Sequence, residues 1–213
     1  MSASKFIKQE IQSMKRGKPF TGRAFSRLGS RSTIDTALSR LVKSGLIERA
    51  TQGVYFRPEE SPYIPQSIPP SISSVISLIS KESGEVIQDQ GAKAANALRL
   101  STQVPVLSIY WTSGLSRNLK ISGRQVTLKH VSNRKLQLAG TKAGSALSAL
   151  WYLGEPCITV QIIKRIEMEI GRSEFESLEQ SNMPAWMRAA FNEFNEEFRW
   201  AKTTLHLKSD CPL

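Results

Sequence analysis

Residues 19–58, PFTGRAFSRLGSRSTIDTALSRLVKSGLIERATQGVYFRP, constrain the fold more than any other stretch. Ile34, Ala37, Leu38 and Leu41 recur at the i, i+3, i+4, i+7 spacing of one helix face, which predicts a helix over residues 30–44. The opposite arc carries Ser32, Thr33, Thr36, Ser39, Arg40 and Lys43. It holds hydroxyls and cations but no carboxylate, and those are the groups that meet phosphates and base edges.

The flanks fit that helix. Thr21 is placed to cap a short helix over residues 22–28, with Phe25 and Leu28 turned towards the longer one. Gly29 permits a tight turn, Ser30 or Ser32 supplies the next cap, and Asp35 suits the positive helix N-terminus. Ser44-Gly45 is a natural stop. Residues 46–50 and 54–57 then flank Thr51-Gln52-Gly53 as a β-hairpin. Residues 3–15, with Phe6, Ile7, Ile11 and Met14 on one face, predict a preceding helix. The combination predicts a winged helix-turn-helix over residues 1–57.

Charge points the same way. The 213-residue chain carries a net +11, and residues 1–57 alone carry +9. Residues 58–90 carry −4, residues 91–172 carry +9 and residues 173–213 carry −3. Basic blocks of this density attract polyanions, and the first coincides with the helix-turn-helix. On this placement Arg31, Ser32, Thr33 and Thr36 stand nearest base edges, while Arg40 and Lys43 hold phosphates. Arg23 and Arg27 on the short helix join them. So do Arg49, Thr51, Gln52 and Arg57 on the wing, over flanking backbone or minor groove.

Half of the ten prolines fall at 58, 62, 65, 69 and 70, so residues 58–70 read as an extended linker, with Tyr63, Ile64 and Ile68 docked against a neighbouring surface. Residues 71–213 read as a mixed α/β domain with a helical C-terminus. Helices are expected at 71–81, 92–98, 141–153 and 158–170, with strands at 104–111, 119–121 and 125–131. Two acidic helices are expected over 173–200, the second starting near Pro184 and packing Trp186, Phe191, Phe194 and Phe198. The fold class is therefore α+β.

Catalytic signals are sparse. His130 and His206 have no Cys or Asp companion in sequence, and Walker, GxSxG, HExxH and CxxC motifs are absent. Glu167 and Glu169, two apart on a helix, face different ways. No catalytic residue, metal ligand or cofactor is expected, and the chain is not read as an enzyme. Cys157 and Cys211 lie far apart, no apolar run suits a membrane span, and the N-terminus lacks a secretion h-region. A reducing cytoplasm is the expected compartment.

The N-terminal run resembles the winged helix-turn-helix of the AbiEi-like antitoxins, the DNA-binding halves of bicistronic phage-defence toxin–antitoxin systems. The resemblance rests on Leu28-Gly29-Ser30, Ala37-Leu38-Ser39-Arg40-Leu41 and the run from Gly53 through Tyr55-Phe56 to Pro58. The run from Trp111 to Arg117, followed by Leu119 and Ile121, is similar to a strand segment of that family. Residues 140–150, before Trp151 and Gly154, are similar to its Ala/Gly-rich helix. The likeness covers most of residues 5–155. It implies a protein that binds inverted repeats in its own promoter, represses its operon, and neutralises a nucleotidyltransferase-like toxin through its C-terminal domain.

The second basic block, Lys93, Arg99, Arg117, Lys120, Arg124, Lys129, Arg134, Lys135 and Lys142, fits contact with either that toxin or DNA flanking the operator. A plain winged-helix regulator, a nucleic-acid-binding adaptor and an enzyme acting on nucleic acid are the alternative classes.

Overall fold

A computed structural model describes residues 3–61, 64–103 and 106–209, with side chains described for all but 60, 61, 64–66 and 198–209. Tyr63 and Cys211, and the side chains of Ile64, Phe198 and His206, lie outside these residues. The fold is mixed α+β, and the chain divides into two compact units. The first comprises Met1–Glu85 and Arg117–Thr127, the second Val86–Ser116 and Leu128–Leu213.

The first unit opens with α1 (Ala3–Ser13), β1 (Pro19–Thr21) and a 3-10 turn, Gly22–Leu28. The Thr21 hydroxyl caps that turn by accepting from the Arg23 N–H, as its position suggested. The short element is 3-10, not α, which suits a seven-residue piece held at both ends. Next comes α2 (Arg31–Lys43), then β2 (Glu48–Thr51) and β3 (Val54–Phe56). β3 is the centre of an antiparallel sheet of order β1-β3-β2, with Phe20 opposite Tyr55 and Glu48 opposite Phe56. β1 was not expected from sequence. Three residues after a proline carry no period-2 signal of their own, and pairing with β3 creates the strand.

One core serves these elements. Ile7 and Ile11 of α1, Phe25 of the 3-10 turn, Ile34, Ala37, Leu38 and Leu41 of α2, and Phe20, Ile47 and Tyr55 beside them form a single buried cluster. Phe20 meets the Phe25 ring edge-on at 5.8 Å between centroids, a favoured aromatic geometry. Every α2 residue on the predicted apolar face is buried.

The proline-rich segment is more ordered than a linker. β4 (Glu59–Ser61) and β5 (Ile64–Ile68) pair antiparallel, and α3 (Ile72–Ser83) follows. Ser71 caps α3, and Gly84 ends it at φ 71°. Arg117–Thr127 rejoins this unit as β8 (Arg117–Ile121) and the first residues of β9 (Arg124–His130). Compact structure thus runs past the boundary read at residue 57, because β4, β5 and α3 pack with the N-terminal elements.

In the second unit, β6 (Ile87–Asp89) pairs antiparallel with β7 (Ser108–Thr112), and the last residues of β9 adjoin β7, where the Val131 N–H donates to the Thr112 carbonyl. β6 is a second short strand missed by periodicity. The helices are α4 (Gly91–Ala97), α5 (Lys142–Leu153), α6 (Val160–Ile170), α7 (Arg172–Glu179) and α8 (Ala185–Ser209). Their core gathers Leu147 and Leu150 of α5, Ile163 and Ile166 of α6, Phe175 of α7 and Phe191 and Phe194 of α8.

α4 and α5 touch through small residues. A Cβ added to Gly91 of α4 would lie 2.1 Å from the Ser148 carbonyl oxygen of α5, while one added to Gly144 of α5 would lie 2.0 Å from the Leu138 carbonyl oxygen in the loop before that helix. Helix propensity alone favours Gly→Ala by about 1 kcal/mol. Overpacking costs about 1–3 kcal/mol, and here the obstacle is rigid backbone. Gly91→Ala is therefore expected to lower the urea midpoint, with a loss of up to about 2 kcal/mol. A raised midpoint would show that α4 can withdraw from α5.

Candidate nucleic-acid interface

The first unit presents α2, the β2–β3 hairpin and the 3-10 turn as adjoining surfaces. α2 is positioned by its buried face, and its start is fixed by a hydroxyl network. Ser30 has extended backbone, and its Oγ accepts from the Thr33 N–H at 3.3 Å. The same oxygen lies 3.0 Å from Ser32 Oγ and 2.9 Å from Thr33 Oγ1. Of the two serines that could cap from sequence, Ser30 does so. Thr36 Oγ1 donates to the Ser32 carbonyl at 2.8 Å, which fixes its rotamer. Ser44 and Gly45, the latter at φ 73°, close the helix.

The predicted arc of α2, Ser32, Thr33, Thr36, Ser39, Arg40 and Lys43, is exposed throughout, and Arg31 and Asp35 at its edge are exposed as well. Arg40 and Lys43 have no salt-bridge partner among the described residues. Arg31 pairs with Asp35 at 3.6 Å, one turn on, but both side chains are mostly exposed and such a pair holds weakly. The Arg31 guanidinium is thus available to a stronger partner.

The remaining residues of the first set are spread more widely. Gln52 is exposed at the hairpin tip beside Gly53, whose φ of 76° makes the turn. Thr51 is buried, and Arg49 lies across the Tyr55 ring at 5.5 Å from its centroid. Arg27 donates to Glu10 of α1 at 2.6 Å. Arg23 pairs with Glu82 of α3 at 3.4 Å, and its Nη1 donates to the Glu82 carbonyl at 2.6 Å. Arg57 donates to the carbonyls of Gln12 and Met14 at 2.5 and 2.6 Å, past the end of α1. Arg27 and Arg57 therefore clamp α1, and the hairpin is tipped by Gln52 rather than by Arg57.

A cleft of about 550 Å³ opens between the start of α2 and the hairpin tip. Arg31, Asp35, Gln52, Gly53 and Thr21–Arg23 line it, and Ile79, Glu82 and Ser83 of α3 form its far wall. The part played by α3 was not legible in sequence, since nothing in the Ile72–Ser83 pattern says which helix it will approach.

The second basic block is divided between the two units. Arg117, Lys120 and Arg124 belong to the first unit and the others to the second. Arg117 is held by Glu85 through two nitrogens, at 3.1 and 2.9 Å. In the second unit Lys93 pairs with Asp89 at 2.9 Å and lies over the Tyr110 ring. Burial would lower the Lys93 pKa, but the hydrogen bond and charge of Asp89 outweigh it and raise it; burial raises that of Tyr110. Lys135 sits over the rings of Trp111 and Trp151, at 5.6 and 4.6 Å. Arg134 donates to the Asn182 carbonyl, and Arg99 approaches Glu169 at 4.0 Å. Lys129 and Lys142 are exposed.

His130 Nδ1 lies 2.8 Å from the Gly114 carbonyl oxygen, and its backbone N–H donates to Ser116 Oγ, so it closes a loop. Among the described residues no group of three or more His, Cys, Asp or Glu is placed to hold a metal ion, and no helix is long and apolar enough to cross a membrane.

The cap assignment sets an expectation. Ser30→Ala should cost about 1 kcal/mol in the unfolding free energy of the first unit. Ser32→Ala, one position inside the helix, should change it by less than about 0.5 kcal/mol. Equal losses in chemical denaturation would mean that the two hydroxyls share the cap.

A family model described as Family of unknown function (DUF6088) matches residues 6–178, and the chain belongs to that family. No curated protein and no solved structure matches the chain.

Proposed function

We propose that this DUF6088 member is a DNA-binding regulator whose N-terminal elements form a winged helix-turn-helix. One observation carries the reading. α2 buries Ile34, Ala37, Leu38 and Leu41, and turns outward an arc of hydroxyls and cations with one carboxylate, Asp35, at its edge beside Arg31, next to a glycine-tipped hairpin. The order α1, β1, 3-10 turn, α2, β2, β3 with sheet order β1-β3-β2 supports it, because it leaves one helix and one hairpin free on the same unit.

In this reading α2 enters the major groove. Arg31 leaves its weak pair with Asp35 for the O6 and N7 acceptors of a guanine, and the methyl of Thr36, whose hydroxyl is turned back on the helix, meets a thymine methyl. Arg40 and Lys43 hold phosphates, and Gln52 reaches the flanking backbone or minor groove. The resemblance to AbiEi-like antitoxins extends the proposal: the DNA is the chain's own promoter, and the second unit neutralises a nucleotidyltransferase-like toxin encoded beside it.

The test is a gel-shift on DNA from immediately upstream of the gene, against a scrambled duplex, at two salt concentrations. A specific shift that weakens steeply with salt is expected, because phosphate contacts release counterions. No preference for the upstream DNA would remove operon control. Residue roles follow: Arg31→Ala should forfeit about 1–3 kcal/mol of discrimination between the two duplexes. Lys43→Ala should weaken both alike. Equal losses from the two variants on both duplexes would overturn the assignment. Co-expression with the neighbouring gene tests the antitoxin role, and growth arrest that this chain does not relieve would end it.

A further inference from the structure

The hairpin β8–β9 is remote in sequence from α2, yet it is built into the same unit. It is fastened twice. At its base Arg117 makes a two-nitrogen ion pair with Glu85, at 2.9 and 3.1 Å, with both side chains largely shielded from solvent. At its tip the Ser122 N–H donates to the Ala50 carbonyl of β2 at 2.8 Å. Ser122 and Gly123 both have positive φ, 48° and 82°, as a two-residue hairpin loop requires. Ile121 and Val126 are buried. The hairpin is therefore a rigid extension of β2, the strand that leads to the Gln52 tip.

What this extension exposes is charge of one sign. The segment Arg117–Thr127 contains three cations and no carboxylate. With Arg117 used as the anchor, Lys120 and Arg124 remain on either side of the Ser122-Gly123 loop, both exposed, and neither has a salt-bridge partner among the described residues. Ala50, to which the loop is tied, precedes the Gln52 tip by two residues, or about 7 Å of strand. The loop that carries the two cations is thus tied to the strand that ends at Gln52.

We propose that Lys120 and Arg124 hold backbone phosphates of the same DNA, so that the β8–β9 hairpin lengthens the contact made by the β2–β3 hairpin instead of serving a protein partner. The proposal rests on the DNA-binding reading and assigns it two further residues, which position the duplex without reading its sequence.

The test is a fluorescence-anisotropy titration of labelled upstream and scrambled duplexes across salt, comparing the full chain with Lys120→Ala/Arg124→Ala. Each phosphate contact adds about 0.9 to the slope of log affinity against log salt. The double variant should therefore show a slope shallower by about 1.8, and between 50 and 200 mM salt it should lose roughly tenfold less affinity than the unaltered chain. Its preference for the upstream duplex should be unchanged. An unaltered chain that binds both duplexes while the variant matches it in slope and affinity would overturn the hairpin role alone. A variant that binds DNA normally but no longer relieves toxicity of the neighbouring gene's product would overturn it in favour of a protein surface. An unaltered chain that binds neither duplex would overturn both readings.

Discussion

Leu38 and Ile34 fasten α2 to Phe25 of the 3-10 turn and to Ile7 and Ile11 of α1, and that apolar contact decides which residues the first unit offers outward. Complete burial of a leucine is worth about 1.5–3 kcal/mol, several times the worth of the exposed Arg31–Asp35 pair on the same helix. The rotation of α2 is thus set from below, by packing. A helix turned by one residue about its axis, so that Asp35 took the buried place of Ile34, would also carry Ile34, Ala37 and Leu41 to exposed positions, and both changes are unfavourable. The exposed arc contributes nothing to that core, and Arg40 and Lys43 on it have no salt-bridge partner among the described residues.

The parts of this arrangement legible in the sequence are those fixed within a few residues of chain. The α2 face, the Thr21 cap, the stop at Gly45 and the hairpin around Gly53 each have a local cause, and each lies where its residues placed it. β1 and β6 were not legible, because three residues carry no period and a distant partner makes them strands. The β4–β5 pairing was hidden for another reason. Prolines at 62, 65 and 69 argue for extended backbone, and extended backbone is equally a linker or an edge hairpin until a partner is known.

Charge shows the same limit. Counting cations marked two basic blocks of equal strength, but a count cannot see which cations are already committed. Arg27 and Arg57 hold α1, Arg117 holds Glu85, Lys93 is paired with Asp89, and Lys135 lies against two tryptophan rings. Those commitments occupy Arg117, Lys93 and Lys135 of the second block. Arg40 and Lys43 of α2 and the two cations of the β8–β9 loop, by contrast, have no salt-bridge partner among the described residues.

The division of the chain follows from this. The backbone passes between the units at Glu85–Val86, at Ser116–Arg117 and, within β9, at Thr127–Leu128, so neither unit is one continuous stretch of sequence. A boundary at the proline-rich segment isolates α1 through β3 but removes α3, whose Glu82 holds Arg23, and the hairpin whose Ser122 satisfies the Ala50 carbonyl on the outer edge of β2. An open edge strand is a pairing hazard, and here residues more than sixty positions downstream close it. The first unit is completed only after the chain has begun the second, since residues 86–116 precede the hairpin that meets the β2 edge.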